Sequence, residues 1–420
     1  MDLESLSDAY WRGESGANQP NPMAASGHLS EVAPGITFLA SFGNCTAIDT
    51  DDGLVMVDTG SQFNAARVHD EVRSWSTKPL HTAIYSHGHV DHVFGVGPFE
   101  EEAAIEGWPS PHVLAHAHLV HRFDRYRLTR EFNEVINRRQ FALPNLRWPA
   151  EYRYPDETYE HEHTLHVGER AFALRHEKGE TDDATVTWLA DDKVLCSGDM
   201  FVWSSPNAGN PQKVQRYPLE WASALRRMVA LEPEILLPGH GLPIFGAARI
   251  RQALSETAEF LEDLVAQTLA MMNAGARLSE VVHSVKAPAH LEGRVYLQPI
   301  YDEPEFIVHN IWRLYGGWWD GNPATLKPAP ERRVAEELCA LAGGAARLAE
   351  RTEALLTLGD DEALRLAGHL IETAWLATPE DPAIQELRQR VFQTRANEAT
   401  STMARGVFNW AVRESRGETL

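Results

Sequence analysis

The stretch that decides the fold is YSHGHVDHVFG, residues 85–95, where an apolar run ends at Tyr85 and His87, His89, Asp91 and His92 follow on one short loop. Gly88 and Val90 leave little bulk between them. Imidazole nitrogen and carboxylate oxygen are borderline ligands that suit zinc at about 2 Å. A single histidine in a turn reads as solvated, but four such groups behind a strand read as a loop that feeds two neighbouring ions. Such a pair needs further ligands, and two other apolar runs end in them: Asp199 after VLCSG (194–198) and His240 after LLPG (236–239). Asp58 in VMVDTG (55–60) is better placed to accept a hydrogen bond from a ligand imidazole, fixing its ring, than to bind the ion itself. A plain strand-end turn would use Asp58 equally well.

Outward from that loop, between about Ile36 and Ile244, short apolar runs alternate with Gly, Asp and Pro. They are ITFLA (36–40), GLVMVDTG (53–60), LHTAIYSHGH (80–89), HVLAHAH (112–118), ATVTWLADD (184–192), KVLCSGD (193–199) and EILLPGHG (234–241). These predict strands whose polar ends gather at one edge. Residues 118–142 and 219–233 have helical spacing, so strand and helix alternate as in an α/β layered fold. From Arg249 onward long Ala/Leu/Glu/Arg stretches predict a helical half. Residues 296–330 interrupt it with Trp, Tyr, Gly and Pro, which read as a core cap or a contact surface.

A chain of 420 residues that is 43% hydrophobic suggests two or three domains with a sizeable core. Its 38 basic and 60 acidic residues give a formal charge of -22, which disfavours nucleic acid and anionic membrane as partners. Cys45, Cys196 and Cys339 lie far apart and form no disulfide framework, and no run reaches membrane-spanning length. The expectation is a soluble cytoplasmic protein without a secretion signal.

SHGHVDH, together with VDTG, SGD and PGHG, resembles the metallo-β-lactamase superfamily. Within it, Glu180 in GETDD (179–183) stands where most members carry a third histidine, which resembles the class III alkyl sulfatases. A separate segment, YLQPIYDEPEFIVHNIWRLYGGWWDGNPATL (296–326), resembles their dimerisation domain. The resemblance implies an αββα sandwich over 31–248 and an all-α dimerisation domain over 249–400. An amino-terminal extension, 1–30, and a carboxy-terminal helix or tail, 401–420, flank them. It further implies two Zn²⁺ per chain, one on His87, His89 and Glu180, the other on Asp91, His92 and His240, with Asp199 and a hydroxide bridging them. Asp91, Asp199 and Glu180 are then the catalytic carboxylates. Asp182 or Asp183 replaces Glu180 if the turn is shifted by a few residues.

A sulfate ester needs cations against this acidic background. Arg216 and Lys213 in KVQRY (213–217), a segment resembling the arginine-bearing one of the sulfatases, are candidates, with Arg138 and Arg139 in INRRQF (136–141). Asn207 and Asn210 are candidate polar contacts. The ordinary reading of each is a solvated helix surface or a loop. His112, His116, His118 and His121 lack accompanying acids and read as structural or surface residues. The expected activity is hydrolysis of a small anionic alkyl sulfate ester by a homodimer. The alternatives are another ester-type bond (lactone, β-lactam, thioester or phosphodiester) on the same fold, and a non-enzymatic scaffold.

Overall fold

The structure is a computed structural model that describes residues 3–14 and 29–418. Of the expected amino-terminal extension, residues 1, 2 and 15–28 lie outside the described residues, as do 419 and 420 of the tail. The chain packs as two units. The first takes in Met1–Arg130, Pro149–Ala274 and Val281–Tyr315; the second takes in Glu131–Trp148, Gly275–Glu280 and Gly316–Leu420.

The first unit holds two sheets. Strands β1 (Leu29–Ala33), β2 (Ile36–Leu39), β3 (Cys45–Thr50), β4 (Gly53–Val57), β5 (Leu80–Ile84), β6 (His112–His116) and β7 (Glu157–Tyr159) lie side by side in chain order. The pairs from β1 to β4 are antiparallel; those from β4 to β7 are parallel. Parallel neighbours need crossovers, and helices Ala65–Trp75, Gly97–Glu106 and His118–Leu128 provide them. Strands β8 (Glu162–Val167), β9 (Arg170–Glu177), β10 (Ala184–Leu189), β11 (Val194–Val202), β12 (Ile235–His240) and β13 (Ile244–Phe245) form the second sheet in the order β13-β12-β11-β10-β9-β8. Here only β11 and β12 are parallel, joined through helix Pro218–Ala230.

The burial pattern explains the layers. Every residue of β4 and of β11 is buried, as expected of strands covered on both faces. In β4, Leu54 and Met56 pack with Val68, Val72 and Phe99 of the crossover helices, while Val55 and Val57 turn to the opposite face. The result is the αββα sandwich the sequence implied. Helix Ala247–Asn273 starts at the expected boundary of the helical half yet packs into the first unit. Its buried face, including Leu254, Ala258 and Leu261, lies on helix Pro218–Ala230, and Arg226 pairs with Glu262 at 2.7 Å. The short helix Leu3–Trp11 also belongs here: Ser7 Oγ donates to Pro243 O at 2.6 Å, and Tyr10 meets Trp203 edge-on.

The second unit is helical. Helices Glu331–Ala342, Ala345–Leu358, Asp361–Ala377, Pro382–Glu398 and Thr402–Glu414 follow one another. Leu355, Ala367, Ile371, Leu387 and Val391 are among the residues that form their core. The starts are written in the sequence: Asp360, Asp381 and Ser401 accept backbone N–H groups at three successive helix N-termini. Buried Arg388 pairs with Glu372 and Glu414 and lies 4.0 Å over the Trp375 ring. Among the described residues no helix is long and apolar enough to cross a membrane.

Candidate metal centre

The sandwich brings seven side chains to one edge. His87, His89, Asp91 and His92 come from the loop after β5, Glu180 from the turn between β9 and β10, Asp199 from within β11 and His240 from the end of β12. Because β11 and β12 run parallel, their carboxyl halves reach the same edge. Gly239 lets them approach: a Cβ there would stand 2.1 Å from Asp199 Oδ1.

Asp58 organises the histidines. It sits at the end of β4 with φ +58°, a left-handed backbone that an aspartate tolerates better than most residues, and it is buried. Its Oδ1 accepts from Ser86 N at 2.7 Å, and its Oδ2 accepts from Ser86 Oγ at 2.6 Å and lies 2.8 Å from His92 Nδ1. A carboxylate only accepts, so His92 keeps a proton on Nδ1, and in the neutral form that can bind a cation its Nε2 is bare. Ser86 Oγ has given its one proton to Asp58, so His87 Nδ1, 2.9 Å away, must donate to it, and His87 Nε2 is bare as well.

The ring nitrogens on the open side face acids and one another. His87 Nε2 is 3.3 Å from Asp199 Oδ2 and 2.8 Å from His89 Nδ1. His92 Nε2 is 3.5 Å from Asp199 Oδ1 and 3.6 Å from Asp91 Oδ2, and His240 Nε2 is 3.4 Å from both Asp91 Oδ2 and Asp199 Oδ2. His89 Nδ1 stands 3.8 Å from Glu180 Oε1. Buried His92 Nε2 and Asp199 Oδ1 find no hydrogen-bond partner among the described residues. Nitrogen–oxygen gaps of this size exceed a good hydrogen bond, but two ligands about 2.0–2.1 Å from one tetrahedral ion lie roughly 3.4 Å apart. The donor set therefore fits divalent ions, in two groups: His87, His89 and Asp199, and Asp91, His92 and His240.

Electrostatics agree. Burial works against charge on His92, yet Asp199, Asp58 and Asp91 hold it up at about 10; Asp199 and Asp91 likewise hold His240 up at about 9. Burial disfavours the Asp199 anion too, but His240, His87 and His92 keep it well below the usual carboxylate range. Burial pushes Glu180 up, against the pull of Arg216. The pocket carries a negative potential that calls for positive charge, either as protons on its imidazoles or as bound cations.

The structure brings Glu180, rather than Asp182 or Asp183, to His89. Asp183 is fully buried and serves the loop from behind: its Oδ2 accepts from Gly88 N at 3.0 Å, and both its oxygens accept from Arg122 Nε at 2.9 Å. Arg122, also buried, reaches Asp182 as well. Sequence reasoning missed Arg122, since an arginine on an amphipathic helix gives no sign that it points inward. It also missed Asn44, whose amide donates at 2.9 Å to Pro238 O and to Gly241 O and so ties down the loop of His240.

Of the anion-binding candidates, Arg216 and Asn207 are both buried beside Glu180. Arg216 Nη2 is 3.4 Å from Glu180 Oε1, and its Nη1 donates to Glu180 O; Asn207 Nδ2 donates to Glu180 Oε1. Arg216 Nε finds no hydrogen-bond partner among the described residues. Half-buried Lys213 lies within electrostatic reach of Arg216, Asp91 and Glu180, and burial, helped by Arg216, pulls its amine down to about 7. Asn210 accepts from Gln212 N at 3.1 Å, a loop-building contact. Arg138 and Arg139 stand on helix Arg130–Phe141 in the second unit, where Arg138 pairs with Glu134 at 2.7 Å and donates to Leu146 O at 2.8 Å.

A further trio, His116, His118 and His176, has ring nitrogens close together. His116 and His176 are stacked 3.6 Å apart with planes 5° from parallel. Rings so stacked send their lone pairs along parallel planes and cannot meet at one ion without rotating. Each of the three also has a nitrogen 2.8–3.0 Å from a backbone carbonyl, that of Glu160 or Asp182. These carbonyl contacts occupy one nitrogen of each ring; the sequence reading of His116 and His118 as structural or surface residues did not extend to His176.

Residues 39–240 match the family model described as metallo-beta-lactamase superfamily. Residues 277–418 match the model described as alkyl sulfatase dimerisation. Among curated relatives, a linear primary-alkylsulfatase from a Pseudomonas strain is 27% identical over 335 residues, 74% of this chain and 62% of that protein. An (R)-specific secondary-alkylsulfatase from Pseudomonas is 25% identical over 358 residues, 78% of this chain and 54% of that one. The solved structure of the stereoselective inverting sec-alkylsulfatase Pisa1 from Pseudomonas shares the fold, with a TM-score of 0.83, 21% identity, and coverage of 94% of this chain and 66% of that one. The matches thus span little more than half the length of these curated relatives.

Proposed function

We propose that this chain is a zinc-dependent hydrolase of small alkyl sulfate esters. One ion would be held by His87, His89 and Glu180, the other by Asp91, His92 and His240, with Asp199 between them. The observation that carries the reading is the position of Asp199, whose oxygens lie 3.3–3.5 Å from nitrogens of His87, His92 and His240. When bound, the two ions would acidify a water to a pKa of about 7 and supply the attacking oxygen at neutral pH.

The chain's own residues do the rest. Asp58 fixes the tautomers of His92 and, through Ser86, of His87. Asn207 and Arg216 orient Glu180, and the unpaired Arg216 Nε, with Lys213 nearby, offers positive charge to a sulfate oxygen. Alkyl sulfate is favoured over other esters by the carboxylate at position 180 and by the named activities of the curated relatives. The match to the dimerisation model supports a homodimer, and three unpaired buried cysteines suit a reducing cytoplasm. The net charge of -22 argues against nucleic acid or anionic membrane as a partner.

The test is metal analysis of the pure protein together with product release from matched sulfate, phosphate, lactone, thioester and β-lactam substrates. Two zinc ions per chain and highest kcat/KM on an alkyl sulfate are expected. A folded protein without zinc, or one that prefers another bond, overturns the reading. Hydrolysis in ¹⁸O-labelled water then distinguishes attack at carbon, with label in the alcohol, from attack at sulfur.

A further inference from the structure

Asn207, Lys213 and Arg216 all sit on one loop, residues 204–216, which lies between β11 and helix Pro218–Ala230 and forms no strand or helix of its own. A loop without a ladder must satisfy its backbone elsewhere, and this one does so on residues 298–310, far along the chain but in the same unit. Ser205 N donates to Gln298 O at 2.9 Å. Gly209 N donates to Asp302 Oδ2 at 2.6 Å, and Asp302 Oδ1 accepts from Glu303 N at 2.7 Å, at the start of helix Pro304–Gly316. Asn310 holds the peptide groups of Arg216: its Nδ2 donates to Arg216 O at 3.1 Å, and its Oδ1 lies 3.4 Å from Arg216 N. Gln215 Nε2 donates to the same Oδ1 at 2.9 Å. The loop lies so close to the helix that a Cβ on Gly209 would stand 2.1 Å from Ile307 N.

Asp302 is fully buried, and the hydrogen bonds described for it come from backbone N–H groups rather than a cation. Burial pushes its carboxyl up to about 7, with Gly209 N and Glu303 N pulling against it. A buried carboxyl hydrogen-bonded by amides, with only the more distant pull of Arg216 to offset its charge, is an expensive way to fill a core. Its geometric effect is to set the height of Gly209, two residues from Asn207.

We infer that Asp302 and Asn310 are positioning residues: by clamping loop 204–216 they fix the Arg216 guanidinium and the Asn207 amide where an oxyanion is received. The inference rests on the sulfate-ester reading for the identity of the anion, but not for the clamp itself. The residues from Gln298 to Asn310, which fall within the match to the dimerisation model, thereby serve the candidate site of their own chain.

The test uses the full-length, zinc-loaded protein with Asn310→Ala, the more conservative Asn310→Asp and Asp302→Asn. Four quantities are measured: zinc content, hydrogen–deuterium exchange across 204–216, KM and kcat for an alkyl sulfate, and kcat/KM for an uncharged carboxylic ester of the same alkyl length. Misplacing a binding group by about 1 Å costs on the order of 100-fold, so Asn310→Ala should raise KM for the sulfate at least tenfold. With both zinc sites kept saturated, as the zinc content checks, kcat and the uncharged ester should be little changed, exchange across 204–216 should quicken, and Asn310→Asp should fall between. Exchange as slow as in the wild type overturns the clamp. Quickened exchange with an unchanged KM, or equal losses on both esters, overturns the positioning role. If the wild type releases no sulfate from any ester, the functional reading fails by itself. The positioning role is then decided by affinity for inorganic phosphate, which the variants must weaken if it holds.

Discussion

Replacing Asp58 by asparagine is the sharpest perturbation of the candidate centre, because one carboxylate receives three donors on two oxygens: Ser86 N, Ser86 Oγ and His92 Nδ1. Asparagine keeps one oxygen and turns an NH₂ toward the others, so at least one buried donor loses its acceptor, at a cost of about 1–3 kcal/mol. The same change frees His92 to move its proton to the ligand-side nitrogen. Loss of such an outer partner typically weakens metal binding about 10- to 100-fold, equivalent to about 1.4–2.7 kcal/mol. Urea unfolding of the metal-free protein reads the first quantity, and competition with a chromogenic chelator reads the second. Both ions should weaken, since Asp58 acts on His92 directly and on His87 through Ser86. Ser86→Ala, which leaves the contact between Asp58 and His92 in place, should weaken only the ion held by His87. A folded Asp58→Asn protein that binds both ions as tightly as the wild type would refute the tautomer argument.

Three further outcomes follow from the packing. Arg122→Met leaves Asp183 buried without its cation and should lower unfolding stability by about 3–5 kcal/mol; adding Asp183→Leu should restore part of it, and equal stability of single and double variants in urea would contradict the pairing. Arg122 and His87 hold Asp183 well below the ordinary carboxylate range despite its burial, so its contribution is present above the unfolded pKa of about 4 and fades as pH falls below it. The stability gap between wild type and Asp183→Asn should therefore shrink below about pH 4 in acid titrations of the metal-free protein. Gly239→Ala puts a methyl group 2.1 Å from Asp199 Oδ1 and should lower zinc stoichiometry, measured by atomic emission, while the far-ultraviolet circular dichroism persists.

The sequence made the centre legible where its chemistry is local. Four candidate ligands of two types crowd into one loop after β5, and Asp199 and His240 each end an apolar run, so strand ends and candidate ligands could be read together. Glu180 was visible only through family resemblance, because nothing around GETDD separates a ligand from a turn-forming acid. Arg122, Asp302 and Asn310 were illegible: each acts on a partner 60 to 94 residues away, and composition carries no record of such pairings. The same limit hid β8 and β9. Their alternating exposure puts Glu, His and Arg between the apolar positions, which dilutes the strand signal that the fully buried β4 and β11 give strongly.

The two sheets contribute unequally to the centre: the loop after β5 in the first brings four of the seven side chains, and the second brings Glu180, Asp199 and His240. A cut in the turn between Tyr159 and Glu162 would therefore part the chain into two pieces, each with an incomplete set of ligands. Cations shared across that seam would act as a rivet between the halves, so reassembly of the separated pieces should depend on metal concentration in a way that refolding of the intact chain does not.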